Sequence, residues 1–247
     1  MRLLYLTSPE QHGADVQHVQ LELRRHGHPP GPFNGIYNAG TAAAVRSFQR
    51  MVGLHVDGVV GPRTREELAE TNATEASEWL PGREPPGLEA LAWMRQRLGM
   101  KEDPPDSNRC PITAEFGLIG PWCMMTVSLA FKHGAGIILG DTTPAPWGFW
   151  TGRGFAYVPA FEAWAKTRGY WRGKATPRHG DVVCFDWNGD SVPDHVGIVE
   201  HYLGGGQFNS LEGNTAVGND SNGGELMGRR RYMSEVTGFA RITRHTP

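Results

Sequence analysis

Three residue types at separated positions could together perform acyl transfer from an amide. A cysteine hydrolase needs a thiolate, a base that generates it, a group that orients the base, and donors for the oxyanion. Gly120-Pro121-Trp122-Cys123 opens the apolar run Met124, Met125, Val127, Leu129, Ala130 and Phe131, which predicts a buried helix starting at or just before Cys123. A thiol placed there meets the positive end of the helix dipole and unpaired backbone N–H groups, which favour the thiolate and can also hold an oxyanion. His195 lies in a β-type run, 194–200, where it points opposite to Val196 and Ile198. Farther on, Phe208, Ser210 and Glu212 share one face of another strand, and Asn214 stands just past its end. Glu212 or Asn214 is therefore placed to accept a hydrogen bond from the imidazole.

A second constellation suggests a cation. Asp186, Asn188, Asp190 and Asp194 occupy loop positions one, three, five and nine, the spacing with which EF-hand loops offer oxygens to calcium. Ser191 replaces the glycine of position six, and Gly197 stands where the bidentate glutamate belongs, so an ordinary polar hairpin turn is the competing reading. His26 and His28 form a His-x-His pair in a His-Pro-Pro-Gly loop with no third ligand in view, which reads as a solvated turn. Cys110, Cys123 and Cys184 are too few for a disulfide scaffold, and nothing in the sequence supports a Cys110–Cys184 bridge.

These residues need elements to position them. Val16, Val19 and Leu23 recur at helical spacing and stop at Gly27; Thr41, as N-cap, starts a second helix through Val45 and Phe48 to Met51; a third runs from Pro62 or Thr64 to about Leu68. Residues 71–87 hold Asn72, Ser77, Pro81, Gly82, Pro85, Pro86 and Gly87, which is linker chemistry. A helix over 88–98 and strands over 182–187, 196–201, 207–211 and 239–242 follow, the first two strands joined through an Asn188-Gly189 turn. The expected organisation is a helical domain over 1–72, a linker over 73–87 and an α+β domain over 88–247.

Composition narrows the function classes. With 24 basic and 26 acidic side chains and a net charge of −2, the chain exerts no global pull on nucleic acid or anionic membrane. The apolar N-terminal run is too short for a signal-peptide core, and no stretch approaches the roughly 18 apolar residues of a membrane span.

The set Ser8-Pro9, Gly13, Asp15-Val16, Val19-Gln20, Leu23, Gly35, Thr41, Val45, Phe48-Gln49, Gly53-Leu54, Asp57-Gly58, Val60-Gly61-Pro62, Thr64 and Leu68, over nearly all of residues 5–70, resembles the type-one peptidoglycan-binding domain. That resemblance implies a three-helix bundle and bacterial peptidoglycan as partner. Residues 88–242 resemble the cysteine, histidine-dependent amidohydrolase/peptidase (CHAP) family. The motifs are Glu102, Pro104-Pro105, Ser107-Asn108, Pro121-Trp122-Cys123, Gly180-Asp181-Val182-Val183, Asp194-His195-Val196-Gly197-Ile198-Val199, Leu211-Glu212-Gly213-Asn214-Thr215 and Gly238-Phe239-Ala240-Arg241. The resemblance implies a papain-like domain with helices packed on an antiparallel sheet. It implies Cys123 as nucleophile, His195 as general base and then acid, and Glu212 with Asn214 as the orienting pair. No cofactor is needed for that chemistry, although several CHAP domains bind calcium. Met124-Met125 and Cys184 depart from the family's usual residues without touching the constellation. The combination looks like a phage endolysin: a monomer that waits in the host cytoplasm until lysis, acts on the wall, and neither binds nucleic acid nor inserts into membrane. An inactive wall-binding or virion protein, and a papain-like protease acting on protein, are the alternatives.

Overall fold

Short helices separated by glycine turns open the chain, and strands dominate its second half. The computed structural model describes residues 2–52, 54–68, 85–141, 147–150, 152–220 and 222–244, and the chain divides into two units. In the first unit, α1 (Ala14–Arg25), α2 (Ala39–Met51) and α3 (Pro62–Leu68) enclose a core of Leu4, Val16, Val19, Leu23, Tyr37, Val45, Phe48, Val60 and Leu68. The α2 cap is Asn38, not Thr41. The Asn38 side chain accepts from the Thr41 N–H at 2.9 Å, which moves the helix start to Ala39 and leaves Thr41 buried, its hydroxyl accepting from Gln20 Nε2 at 3.0 Å.

The sequence motif around Phe48-Gln49 has a physical basis. Phe48 fills the core, while Gln49, also buried, ties the following loop to α2. Its Nε2 donates to Asp57 Oδ1, the Val59 carbonyl and Thr64 Oγ1, and its Oε1 accepts from the Gly58 N–H at 2.9 Å. Gly58, at φ 74°, takes a backbone conformation closed to most side chains, and its carbonyl accepts from the Tyr37 hydroxyl.

Most of the expected linker, 73–84, lies outside the described residues. The second unit is entered by α4 (Pro86–Arg95), which begins at the proline suited to a first helical turn and ends earlier than the expected residue 98. Then come α5 (Pro111–Phe116), α6 (Cys123–Ala130) with a π-helical turn over Phe131–Ala135, the short pair β1 (Phe149–Trp150) and β2 (Gly154–Phe155), and α7 (Val158–Thr167). The sheet contains β3 (Trp171–Gly173), β4 (Val182–Phe185), β5 (His195–Gly204), β6 (Gln207–Thr215), β7 (Glu225–Tyr232) and β8 (Val236–Ala240), in the spatial order β3-β8-β4-β5-β6-β7. This is an α+β, antiparallel architecture.

Both faces of the sheet are covered, whereas alternation in the β5 sequence had suggested one core face. Val182, Cys184, Val196, Ile198 and Leu211 join the cluster that includes α4 and α6, and Val183, Phe185, Val199, Phe208 and Phe239 form another. Every residue of α6 is buried. Each fully buried apolar side chain there contributes about 1.5–3 kcal/mol, so α6 and the thiol at its start are firmly seated. Among the described residues, no helix is long and apolar enough to cross a membrane.

Candidate active site

Cys123 is the first residue of α6 and is 4% exposed, as the apolar run after it predicted. The first turn of a helix leaves N–H groups without intrahelical partners, so the thiol sits beside donors suited to an oxyanion. His195 opens β5 next to Phe185 of β4, its cross-strand partner. The imidazole is fully buried beside the Phe185 and Trp187 rings, at centroid distances of 5.8 and 6.1 Å.

Glu212 supplies the orienting contact. Its Oε2 lies 3.1 Å from His195 Nε2, and its Oε1 accepts from the Ser210 hydroxyl at 2.6 Å, the two β6 side chains sharing a face. Nδ1 of His195 is buried with no hydrogen-bond partner. With Nε2 donating to the carboxylate, Nδ1 is the nitrogen free to take a proton. Burial works against a charged imidazole, but interactions with Cys123 and Glu212 outweigh it and raise His195 from 6.5 to about 9. Burial likewise works against the Glu212 carboxylate, yet Arg231 and His195 bring it down from 4.5 to about 2.

Arg231, on β7, is a site residue that the sequence reading missed. Its Nε and Nη2 reach the two oxygens of Glu212 at 2.9 and 2.6 Å, and its Nη1 reaches Asp220 Oδ1 at 2.8 Å. The guanidinium carbon also lies 4.7 Å from the Trp187 ring centre and 5.4 Å from that of Phe185. Imidazolium and guanidinium thus share one carboxylate and one aromatic stack, a charge-assisted arrangement that fixes the carboxylate plane.

Asn214 does not complete an orienting pair. It lies buried at the end of the same strand, at φ 60°, but its Nδ2 donates to Asn222 Oδ1 at 3.0 Å, and no hydrogen bond joins it to His195. Asn214 takes a left-handed backbone conformation, which spacing alone does not reveal.

The expected calcium ligands are also engaged elsewhere. Asp186 Oδ1 and Oδ2 accept from the Gly189 and Ser191 amides; Asn188 and Asp190 accept from the amides of Asp190 and Val192; Asp194 Oδ2 accepts from the Trp187 amide. Among the described residues, no group of three or more His, Cys, Asp or Glu is placed to hold a metal, so the loop does not fit a bound cation. Its side chains cap its own backbone, and the span from 186 to 194 is longer than the expected Asn-Gly hairpin. Cys110, Cys123 and Cys184 are all free thiols, and burial holds the Cys184 thiol protonated.

Two family models match parts of the chain. Residues 116–214 match the model of the CHAP domain, a span that contains Cys123, His195 and Glu212. The second unit carries a CHAP domain. Residues 12–68 match the model of a peptidoglycan binding domain, ahead of the CHAP domain in the chain. A 57-residue stretch is 44% identical to the spore cortex-lytic enzyme of Bacillus subtilis, covering 23% of this chain and 19% of that one. A 65-residue stretch is 35% identical to the spore cortex-lytic enzyme of Bacillus cereus, covering 26% and 25% of the two chains. The chain thus spans about a fifth to a quarter of the length of these curated relatives. No solved structure matches it significantly.

Proposed function

We propose that the chain is a peptidoglycan hydrolase that cleaves an amide bond of the bacterial wall through Cys123. The observation that carries this reading is the buried His195–Glu212 pair, with the imidazole in interaction range of a thiol at a helix start. In the proposed reaction, His195 Nδ1 already holds the proton given up by Cys123, and the thiolate adds to the amide carbon. Main-chain N–H groups at the start of α6 hold the oxyanion. The C–N bond then breaks, the imidazolium returns its proton to the leaving amine, and water releases the acyl group from sulfur with His195 again acting as base.

The peptidoglycan binding domain is proposed to keep the CHAP domain on its polymer, which raises the local concentration of scissile bonds. The bond is either the N-acetylmuramoyl-L-alanine amide or a stem or cross-bridge peptide bond, since both present an acyl carbon to the same thiolate. An endolysin role fits a chain that joins wall binding to wall cleavage. Mass spectrometry of fragments released from purified peptidoglycan, with Cys123→Ala alongside, tests the proposal. New termini produced only by the parent protein identify the bond. Sedimentation of both proteins with the wall and no fragments from either would leave a binding protein without hydrolytic activity.

A further inference from the structure

Glu102 lies ahead of the helix that carries the nucleophile, is 8% exposed, and uses both carboxylate oxygens. Oε1 accepts from the indole Nε1 of Trp122 at 2.8 Å, and Oε2 accepts from the Asn108 N–H at 2.9 Å. The Glu102 N–H donates to the Gly224 carbonyl, 2.9 Å away, which ties this segment to the chain entering β7. Trp122 is fully buried, is the N-cap residue of α6, and immediately precedes Cys123. Another part of its ring lies against β6: a Cβ added to Gly213 would stand 2.9 Å from Trp122 Cζ3. Gly213 directly follows Glu212, which orients His195.

The indole is therefore clamped between a buried carboxylate and the strand that bears the orienting residue. An indole is rigid, and its N–H rarely stays unpaired when buried, so a single hydrogen bond fixes where the ring sits along the strand. The backbone of Cys123 is attached to that ring. We infer that Glu102 is a positioning residue for the nucleophile, acting through Trp122 to hold Cys123 at its working distance from His195. This inference rests on the hydrolase reading above. Attack by a thiolate is sensitive to such placement, because a 1 Å displacement can cost on the order of 10²-fold in rate.

The test uses the full chain with Glu102→Leu, Glu102→Gln, Trp122→Phe and the double variant Glu102→Gln/Trp122→Phe. Two readouts separate placement from stability: kcat and KM for fragment release from peptidoglycan, and the rate of Cys123 alkylation by iodoacetamide, followed by peptide mass spectrometry. Glu102→Leu removes the acceptor and Trp122→Phe the donor while an aromatic ring remains. Each is expected to lower kcat and alkylation about tenfold or more, with KM changed by less than about twofold. Glu102→Gln, whose amide oxygen can still accept from the indole, is expected to recover most of the loss. The double variant is expected to be no slower than Trp122→Phe alone, as two ends of one interaction should be.

Losses that multiply in the double variant, a change confined to KM, or parent-like kcat and alkylation in Trp122→Phe would overturn the assignment. If Glu102→Leu does not fold, Trp122→Phe decides: a loss of about tenfold in both kcat and alkylation with KM unchanged upholds the assignment, and parent-like values overturn it. If the parent itself releases no fragments, the hydrolase reading fails, and the alkylation rates still judge whether Glu102 places the thiol.

Discussion

Arg231 grips the Glu212 carboxylate with two hydrogen bonds, 2.9 and 2.6 Å long, while His195 uses the same carboxylate. All three side chains are nearly or fully buried. Removing one member of a buried ion pair leaves the other's desolvation uncompensated, which costs about 3–5 kcal/mol. Arg231→Met is therefore expected to destabilise the CHAP domain by an amount in that range, and Arg231→Lys by less, since charge remains but the two-pronged geometry is lost. Urea unfolding at pH 7 measures both. Equal, small losses for the two variants would show that the guanidinium only fills space.

The shifts of His195 and Glu212 set opposite limits on stability. A folded-state value of about 9 against 6.5 means that His195 stabilises fully below pH 6.5, and that this contribution fades as pH rises through 9. Glu212, lowered to about 2 from 4.5, stabilises fully above pH 4.5 and loses its contribution as pH falls toward 2. Thermal midpoints are expected to be highest between these windows. Across pH 6.5–9, the difference in midpoint between the parent and His195→Ala should shrink. Wall hydrolysis should also decline above about pH 9, where the imidazolium that protonates the leaving amine disappears. A parent-minus-variant difference that stays flat across the alkaline window would contradict the assigned shift.

Sequence alone carried the site's inner part and not its outer part, for identifiable reasons. The placement of Cys123 at a helix start was legible because the apolar residues behind it are contiguous, as in a fully buried element, and Gly120-Pro121 ahead of it marks where that element begins. His195 and Glu212 were legible because strand period two puts each on a definite face. Arg231 was not, because nothing in the run Arg229-Arg230-Arg231 singles out one arginine; the register Phe208↔Arg231 and Ser210↔Arg229 puts two of them on the face shared with Glu212, and only the folded geometry gives the carboxylate to Arg231. The acidic spacing over 186–194 misled for a related reason: oxygens spaced for a cation are equally spaced to cap the turns of their own loop. The N-cap moved from Thr41 to Asn38 because the Asn38 side chain accepts from the Thr41 N–H three residues on, which puts Thr41 inside the first turn, where its hydroxyl accepts from Gln20.

At Gly213, β6 runs close against the start of α6. An added Cβ would collide with Thr126 Oγ1 and stand 2.9 Å from the Trp122 ring, and the Thr126 hydroxyl already donates to the Trp122 carbonyl at 2.8 Å. Gly213→Ala is expected to push the start of α6 away from the strand, costing about 1–3 kcal/mol as overpacking does, and to lower kcat with it. Thr126→Ala, introduced together with Gly213→Ala, removes the colliding oxygen and should recover part of both losses. Thermal unfolding and fragment release on the two variants check this. A double variant that is as impaired as the sum of its parts would place the damage elsewhere.

In the peptidoglycan binding domain, the comparable dependence falls on Gln49. Its single amide accepts from the Gly58 N–H and donates toward Asp57, Val59 and Thr64, so it is the tie between α2 and the segment leading into α3. Gln49→Leu keeps the volume but strands the Gly58 main-chain donor, at about 1–3 kcal/mol for a group left without a partner, while the Val59 carbonyl keeps the Thr64 hydroxyl and the Gly61 N–H. The loop at Gly58 is then held only from one side, because of the two bonds that frame its left-handed conformation the N–H bond is lost and the Tyr37 hydroxyl on its carbonyl remains. Hydrogen exchange is expected to accelerate across residues 54–68, while amides of β4, β5 and β6 in the CHAP domain keep their parent rates. Wall sedimentation should weaken in step, with Cys123 alkylation unchanged. Acceleration spread equally over both units would mean instead that Gln49 supports the whole chain rather than the first unit.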